Sequence, residues 1–406
     1  MSRPLADRHL EMIVLLGLMA AVGPLTIDTY LPSMPAIGAE LGASSTAVQQ
    51  TVSAYFFGLA AGQIFSGPLS DRFGRRPVLL FGFALYLVTT IACALAPGVG
   101  ILIAARGVQG LGASASSAAG RAVIRDIWSG NRAARAMSFV MMVMAFAPLA
   151  APIIGGQIFT WLGWRAIFWL MLGYAFFVML VLIFRLPETN GPEKRAGARL
   201  AEFFRAYGGV LKNARAWGYL VCGGASYAVM FGYITGVPAV YIEIFGVNPQ
   251  YFGFLFGINV IGLTLGNFIN GRLVTRYGYH RLIGVGVTIS ILGAVALLAC
   301  ALTSTGGLAA VIVTLFFAVG PVGFVGANTI AGLMNLYPRN AGAASALFGV
   351  LQFGLGALAG VIVGFLYAGT PVAMGITMTI MAAASLLAFL CLRLSCRFAP
   401  DRAEVE

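Results

Sequence analysis

The sequence is short of charge, of histidine and of any sustained polar stretch. Only 9% of its 406 residues are Asp, Glu, Lys or Arg, and the histidines are His9 and His280 alone. Its five cysteines, Cys93, Cys222, Cys300, Cys391 and Cys396, are scattered, with no Cys-x-x-Cys spacing and no Cys/His pairing. A metal centre or a disulfide framework is therefore not expected, and the thiols read as inert, mostly buried groups. There is no nucleophile with a histidine partner, no pair of catalytic acids and no phosphate-binding loop for ATP. An enzyme is not expected and no cofactor is called for; any work the chain does must draw on an ion gradient. Acids are scarcer than bases, 13 against 25, for a net charge of +12. The bases sit between long apolar runs rather than on an aromatic-interleaved patch, which argues against nucleic acid and for loops facing an anionic membrane leaflet.

What the sequence has in excess is apolar surface. Hydrophobic residues make up 60% of the chain and the mean hydropathy is +0.91, against about 45–50% apolar in ordinary globular domains. Lipid is the expected solvent. A helix needs about 20 apolar residues to cross a bilayer core. Runs of that kind fall near 10–33, 47–70, 77–97, 100–122, 137–161 and 166–186, then near 216–240, 250–274, 281–302, 306–330, 340–367 and 372–394. The first run leads straight into further spans and reads as a span rather than a cleaved signal. With the N-terminus inside, the inner loops collect Arg72, Arg75, Arg76, Arg125, Arg132, Arg135, Arg272, Arg276, Arg281 and Arg339, and the tail Arg393, Arg397 and Arg402. Only Arg165 is left to an outer loop and only Arg106 to a span, so both termini are expected to be cytoplasmic.

The expected fold is an all-α membrane protein of twelve transmembrane helices in two pseudo-symmetric six-helix bundles, 1–186 and 216–406, joined by a cytoplasmic linker at 187–215. The linker holds Pro187, Pro192, Lys194, Arg195, Arg199, Arg205, Lys212 and Arg215. An amphipathic helix is expected around Leu200–Leu211, lying on anionic headgroups or, alternatively, docking a partner. An internal repeat supports the duplication: Gly67-Pro-Leu-Ser-Asp-Arg-Phe-Gly-Arg-Arg76 recurs as Gly271-Arg-Leu-Val-Thr-Arg-Tyr-Gly-Tyr-His280, 204 residues later. Parallel repeats of this kind are one plan for transporters, with the solute site where the repeats meet.

The first copy of the repeat resembles the signature loop of the major facilitator superfamily, between its second and third spans. Gly67 and Gly74 suit close backbone approach and positive φ. The resemblance implies that Asp71 pairs with the cytoplasmic start of span eleven in the outward-facing state, as a latch that breaks when the inner mouth opens. It also implies that Arg72 or Arg75 reaches Asp126 at the end of span four, with Arg76 anchoring the loop inside. A mere topology anchor would explain the arginines but not the lone Asp71. In the second copy Thr275 replaces the acid, so a latch there is one-sided.

Asp28 is the carboxylate that falls well inside a span, in Ile27-Asp-Thr-Tyr-Leu-Pro-Ser-Met-Pro35, and Arg106 is the corresponding cation. Intramembrane charge is costly and marks function by default. At 1.5 Å per residue both lie roughly 8–9 Å below the outer face, so they are candidates to meet, with Gln109 one turn from Arg106 as a bridge. Burial and a nearby cation act on a carboxylate's protonation in opposite senses. A cavity that opens to alternate sides changes both, as proton coupling requires. A fixed structural ion pair, or a carboxylate near the headgroups with no role, are the competing readings. Leu102-Ile-Ala-Ala-Arg-Gly-Val-Gln-Gly110 resembles the span-four motif of drug/proton antiporters. Asp28-x-Tyr-Leu-Pro-x-x-Pro35, Arg121-Ala-Val-Ile-Arg-Asp126, Leu162-Gly-Trp-Arg-Ala-Ile-Phe168 and Leu186-Pro-Glu-Thr189 resemble the bicyclomycin-resistance (Bcr/CflA) branch of multidrug exporters.

Span five carries Pro148, Pro152, Gly155 and Gly156, similar to the antiporter motif of exporters although Ala151 stands where that motif has glycine. Prolines kink a helix and small residues let it pack closely, here against span eight. The expected function is a proton-driven antiporter exporting drugs or other small amphiphilic solutes across the bacterial inner membrane, acting as a monomer. Export of a native metabolite such as an amino acid or peptide, and a non-transporting receptor, are the alternatives. Tyr30, Met142, Met144, Phe146, Tyr227, Phe231 and Tyr233 offer soft and aromatic surface for such solutes. Asn259, Asn328 and Gln352 are polar groups expected to face the cavity or to bond across helices. Each of these has a plainer reading as packing or lipid contact.

Overall fold

A computed structural model describes residues 9–197 and 200–398; Arg199 of the linker and Arg402 of the tail lie outside the described residues, as do both termini. Helices joined by short turns make up these residues, with no strand among them. The first span is not one helix: α1 runs His9–Asp28, a 3-10 turn follows at Leu31–Ser33, and α2 completes it at Met34–Leu41. Pro32 and Pro35 each fall at the first positions of the piece they start, where a missing N–H is not needed. Gly42 closes α2 in the left-handed conformation. Sequence periodicity carried the first run only to residue 33; the break hides its last eight residues.

In chain order there follow α3 (Ser45–Phe73), α4 (Arg75–Ala94), α5 (Val99–Ile127), α6 (Gly130–Leu162), α7 (Trp164–Arg185) and α8 (Pro192–Gly197). Next come α9 (Leu200–Leu211), α10 (Ala214–Pro238), α11 (Pro249–Tyr277), α12 (Tyr279–Thr303), α13 (Gly307–Val319), α14 (Val322–Leu336), α15 (Ala341–Leu366) and α16 (Val372–Phe398). The helix expected in the linker is present as α9. Ten segments among the described residues are long and apolar enough to cross a membrane, α13 and α14 counting as one. Two further helices of 29 residues, α3 and α5, are less apolar, because they bury Gln49, Gln63, Ser66, Ser70, Arg106, Gln109, Ser114 and Ser116. Large apolar side chains cover much of the outside, such as Phe81 (71% exposed) and Phe184 (76%). Only a lipid solvent makes that surface stable.

The repeat seen in the sequence is a repeat of structure. Ser45 to Pro249 and Phe73 to Tyr277 are the same 204-residue shift, so α3 and α11 are matched 29-residue helices. Each ends on a glycine with positive φ, Gly74 at 105° and Gly278 at 76°, before the next helix starts. A side chain there would be strained. The chain divides into two compact units, one of residues up to Phe203 with Pro238–Gly257, the other of Phe204–Val237 with the chain from Ile258 on.

Within the first unit the helices approach closely because their contact faces lack side chains. A Cβ on Gly58 would strike the backbone carbonyl of Gly107, and one on Gly110 the carbonyl of Tyr55. Gly62 is matched to Ser114, and the Ser66 and Ser114 hydroxyls bond at 2.8 Å one turn further on. Gly58, Gly62 and Ser66 thus form a small-residue stripe at four-residue spacing, the arrangement that lets membrane helices touch. Gly67 does not belong to it: nothing lies within 4 Å of the Cβ it lacks, and its φ is not positive. The expectation of close approach or positive φ at Gly67 is corrected; that role falls to Gly74. Gly58→Ala is predicted to destabilise the protein by about 1–3 kcal/mol through overpacking, while Gly67→Ala stays within about 0.5 kcal/mol of the parent. Thermal unfolding in detergent, followed by thiol-reactive dye, checks the pair; equal losses would remove the packing argument.

Candidate functional site

The break after Asp28 organises the polar interior of the first unit. At a helix C-terminus the last carbonyls have no in-helix donor and carry partial negative charge. The Arg106 guanidinium takes up that position: Nη1 donates to the Thr26 carbonyl at 3.4 Å and to Gln109 Oε1 at 2.8 Å. Arg106 is wholly buried, and its guanidinium carbon lies 4.5 Å from the ring centre of Tyr55 and 4.9 Å from that of Tyr30. Desolvated cation–π contacts contribute about 2 kcal/mol each. Two aromatic faces and a helix end therefore do the work that a counter-ion would do in a conventional pair.

Hydroxyl groups lock this arrangement. Thr51 donates to the Val48 carbonyl at 2.5 Å, so the Tyr30 hydroxyl must be the donor in its 2.8 Å bond to Thr51 Oγ1. Likewise Thr26 donates to the Val22 carbonyl at 2.5 Å, which makes Tyr86 the donor in the 2.6 Å Tyr86–Thr26 bond. Gln109 Nε2 donates to Thr90 Oγ1 at 2.7 Å, and Thr90 passes its own proton to the Tyr86 carbonyl at 2.6 Å. The hydroxyl and amide hydrogens of this network have one consistent direction, while Arg106 Nε and Nη2 have no hydrogen-bond partner among the described residues. The sequence reading missed Tyr55, Tyr86, Thr26, Thr51 and Thr90. Their signal was available: tyrosine rather than phenylalanine in an apolar span needs a partner for its hydroxyl.

Asp28 is the last residue of α1 and is 4% exposed. Among the described residues it has no hydrogen bond and no ion pair, and no carboxylate oxygen lies within 4.0 Å of Arg106. Equal depth thus did not bring the two charges into contact. Rotation about the helix axis, which depth does not report, points Arg106 at the Thr26 carbonyl instead, and Gln109 holds Arg106 without bridging to Asp28. Gly155 sits against the carbonyl of Thr29, next to Asp28, where no Cβ would fit. Within the same unit Gly156 faces the Pro249 carbonyl, and the space a Cβ on Gly253 would need is filled by the Ile153 backbone. The glycines of α6 are thus contact points with the α1 break and with the start of α11. α6 runs through Pro148 and Pro152 without interruption.

The signature loop is a second polar centre. Arg75 pairs with Asp71 and, through Nε, with Asp126 Oδ2 at 3.0 Å, and donates to Ser70 Oγ at 2.8 Å. Arg72 lies over the ring of its neighbour Phe73, and Arg76 donates to the Ile183 carbonyl at 2.8 Å. Glu188 completes the centre: its carboxylate accepts the backbone N–H groups of Arg75 at 2.9 Å, Arg76 at 3.2 Å and Asn190 at 2.8 Å. It caps α4 and fills the space that a side chain on Gly74 would need. Thr189 reaches Asp126 at 3.3 Å and Asn190 the Asp71 carbonyl at 2.7 Å.

The side chains expected to line a solute cavity divide into two groups. Met142, Met144 and Phe146 are exposed on α6, and Gln352 is half-buried on α15. Tyr227 stacks on Phe231 at 6.4 Å between ring centres and meets Phe348 edge-on, in the gap left by Gly326. By contrast Tyr30 is sealed against Arg106, Tyr233 accepts a bond from Asn259 at 3.2 Å, and Asn328 donates to Asn270 at 2.6 Å. Buried to 3% or less, Tyr30, Tyr233, Asn259 and Asn328 fasten helices together. For Asn259 and Asn328 this is the second of the two expected arrangements, bonding across helices; for Tyr30 and Tyr233 the expectation of cavity lining is corrected on that ground.

Tyr55 offers a clean test of the aromatic cage, since its hydroxyl has no hydrogen-bond partner among the described residues. Tyr55→Phe is predicted to match the parent in thermal stability, and Tyr55→Leu to lose about 2 kcal/mol. Glu188→Ala is predicted to cost about 1–3 kcal/mol by stripping three backbone donors of their acceptor. Amide exchange at the start of α4 should rise in that variant and nowhere in α1.

The sequence places the chain among known proteins. The profile of the Major Facilitator Superfamily matches residues 16–361. An uncharacterized MFS-type transporter, YdgK of Bacillus subtilis, is 35% identical over 96% of this chain and 97% of its own. A bicyclomycin resistance protein homolog of Haemophilus influenzae is 32% identical over 93% and 94%. A chloramphenicol resistance protein of Pseudomonas aeruginosa is 30% identical over 70% and 67%. Among solved structures, a D-xylose–proton symporter superposes with a TM-score of 0.72 at 18% identity, covering 94% of this chain and 97% of that one. The nucleoside transporter NupG does so with 0.75 at 12%, covering 95% and 99%. With its helical repeat, its buried arginine and its glycine-hinged loop, the chain belongs to the major facilitator superfamily and is a multi-pass membrane transporter, not an enzyme.

Proposed function

We propose that the protein is a proton-driven antiporter that exports drugs or other small amphiphilic solutes across the bacterial cytoplasmic membrane. It has twelve spans, in bundles 1–186 and 216–406 joined by the linker 187–215, and both termini are cytoplasmic. A monomer carries out the cycle, with protons, solute and lipid as its partners. The relatives named for bicyclomycin and chloramphenicol resistance support the substrate class.

The observation that carries the reading is Asp28, a buried carboxylate at a helix break with no protein partner. A charge in that position is costly without water or a cation, and a proton removes the cost. A solute and a proton that compete for one carboxylate are exchanged one for the other, which is antiport. Arg106, held by Tyr30, Tyr55 and Gln109, stays in place through the cycle as a fixed positive charge beside the break. Gly155 against Thr29 ties the break to α6, so a change at Asp28 is felt along the helix that carries Met142, Met144 and Phe146. On the inner side Asp71 exchanges its Arg75 partner for the start of span eleven in the outward-facing state.

Asp28→Asn is predicted to abolish drug-induced proton release from the purified protein and resistance of a drug-sensitive host to chloramphenicol and bicyclomycin. Insertion and melting temperature remain at parent values. Release that persists in the variant removes Asp28 from coupling. Resistance to neither compound in cells that insert the parent chain correctly points to export of a native metabolite instead.

A further inference from the structure

The second unit has an unusual charge account. In 204–237 and 258–398 there is no aspartate and no glutamate, and the acids after them, Asp401, Glu404 and Glu406, lie beyond the described residues. Its arginines therefore have no carboxylate of their own unit to pair with among those residues. Two of them meet. Arg281, in the first turn of α12, and Arg393, near the end of α16, both line a groove of about 760 Å³ between these packed helices. Neither has an ion-pair partner within 4.0 Å among the described residues, and both are exposed. His280 adds a third basic group at the same end, bonded to Tyr219.

Below that basic end the groove turns apolar. Gly284 leaves room for the Phe389 ring, and Val285 and Leu390 stand 48% and 43% exposed along the walls. A volume of this size holds a substantial organic ligand. Two arginines that line one groove without a counter-ion favour an anion there, and guanidinium groups match phosphate oxygens in geometry. An anion with an apolar tail satisfies both ends of the groove. Basic residues in inner loops put the charged end at the cytoplasmic leaflet, where anionic lipids are found.

We propose that the groove between α12 and α16 is a binding site for an anionic phospholipid, whose phosphate is held by Arg281 and Arg393 and whose acyl chain lies along Val285, Phe389 and Leu390. The site belongs to the second unit, whereas Asp28 and Arg106 belong to the first, and it does not depend on which solute is exported.

Native mass spectrometry of the purified full-length protein, titrated with phosphatidylglycerol or phosphatidylcholine in detergent, tests the assignment. Phosphatidylglycerol is retained in preference to phosphatidylcholine. The Arg281→Gln/Arg393→Gln variant weakens that retention by about fivefold for each arginine removed. Thr288→Phe, at an exposed groove position, also weakens it while leaving both arginines in place, and decides the matter if the double variant fails to fold. Arg272→Gln/Arg276→Gln, which removes as much charge outside the groove, leaves retention unchanged. Equal retention of the two lipids, or groove variants that bind like the parent, overturns the proposal. So does phosphatidylglycerol binding that appears only after removal of the acidic tail, since the tail would then be the occupant.

Discussion

A guanidinium with no carboxylate beside it, sealed in an apolar helix bundle, is the constraint around which the first unit is built. Arg106 cannot shed its charge, so the surroundings must supply negative potential from groups that are themselves neutral. Two tyrosine faces, a glutamine oxygen and a carbonyl at the end of α1 do so. That end exists because the chain breaks its first span at Asp28, and the same break leaves the Asp28 carboxylate buried with no hydrogen bond or ion pair among the described residues. Charge stabilisation and the helix break are one device.

Close helix contact is the second condition. The cage closes only if α3 and α5 lie near enough for Tyr55 and Arg106 to touch, and Gly58, Gly62, Gly107 and Gly110 remove the side chains that would keep them apart. In a bilayer no hydrophobic driving force presses helices together, so such contacts and the hydrogen bonds they permit carry more of the cohesion. The same logic holds where Gly155 meets the Thr29 carbonyl. Small residues at the helix contacts thus set the geometry that the charged residues use.

The membrane fold, the repeat and the signature loop were legible because each is written in one-dimensional spacing: apolar length, a 204-residue recurrence, a glycine before a helix start. The arrangement around Arg106 was legible only in part. Depth along a helix follows from counting residues, which placed Asp28 and Arg106 on one level, but the direction each side chain takes depends on how the helices rotate and cross. The α1 break redirected Arg106 to a backbone carbonyl, and no sequence pattern reports that acceptor. Glu188 was quoted as part of a motif without its function, since a residue 113 positions away from Arg75 offers no local clue that it caps α4. Asn259 and Asn328 looked like cavity polar groups because an isolated amide in a span reads the same whether it meets solute or another helix.

The matched hinges at Gly74 and Gly278 have unequal bracing. At the first, a carboxylate gathers three backbone N–H groups and a buried arginine joins two further acids. The second has the same backbone bend, but its own unit offers no acid among the described residues. Duplication therefore left the protein two bends of one backbone geometry, of which the first is braced by carboxylates and the second, among the described residues, is not.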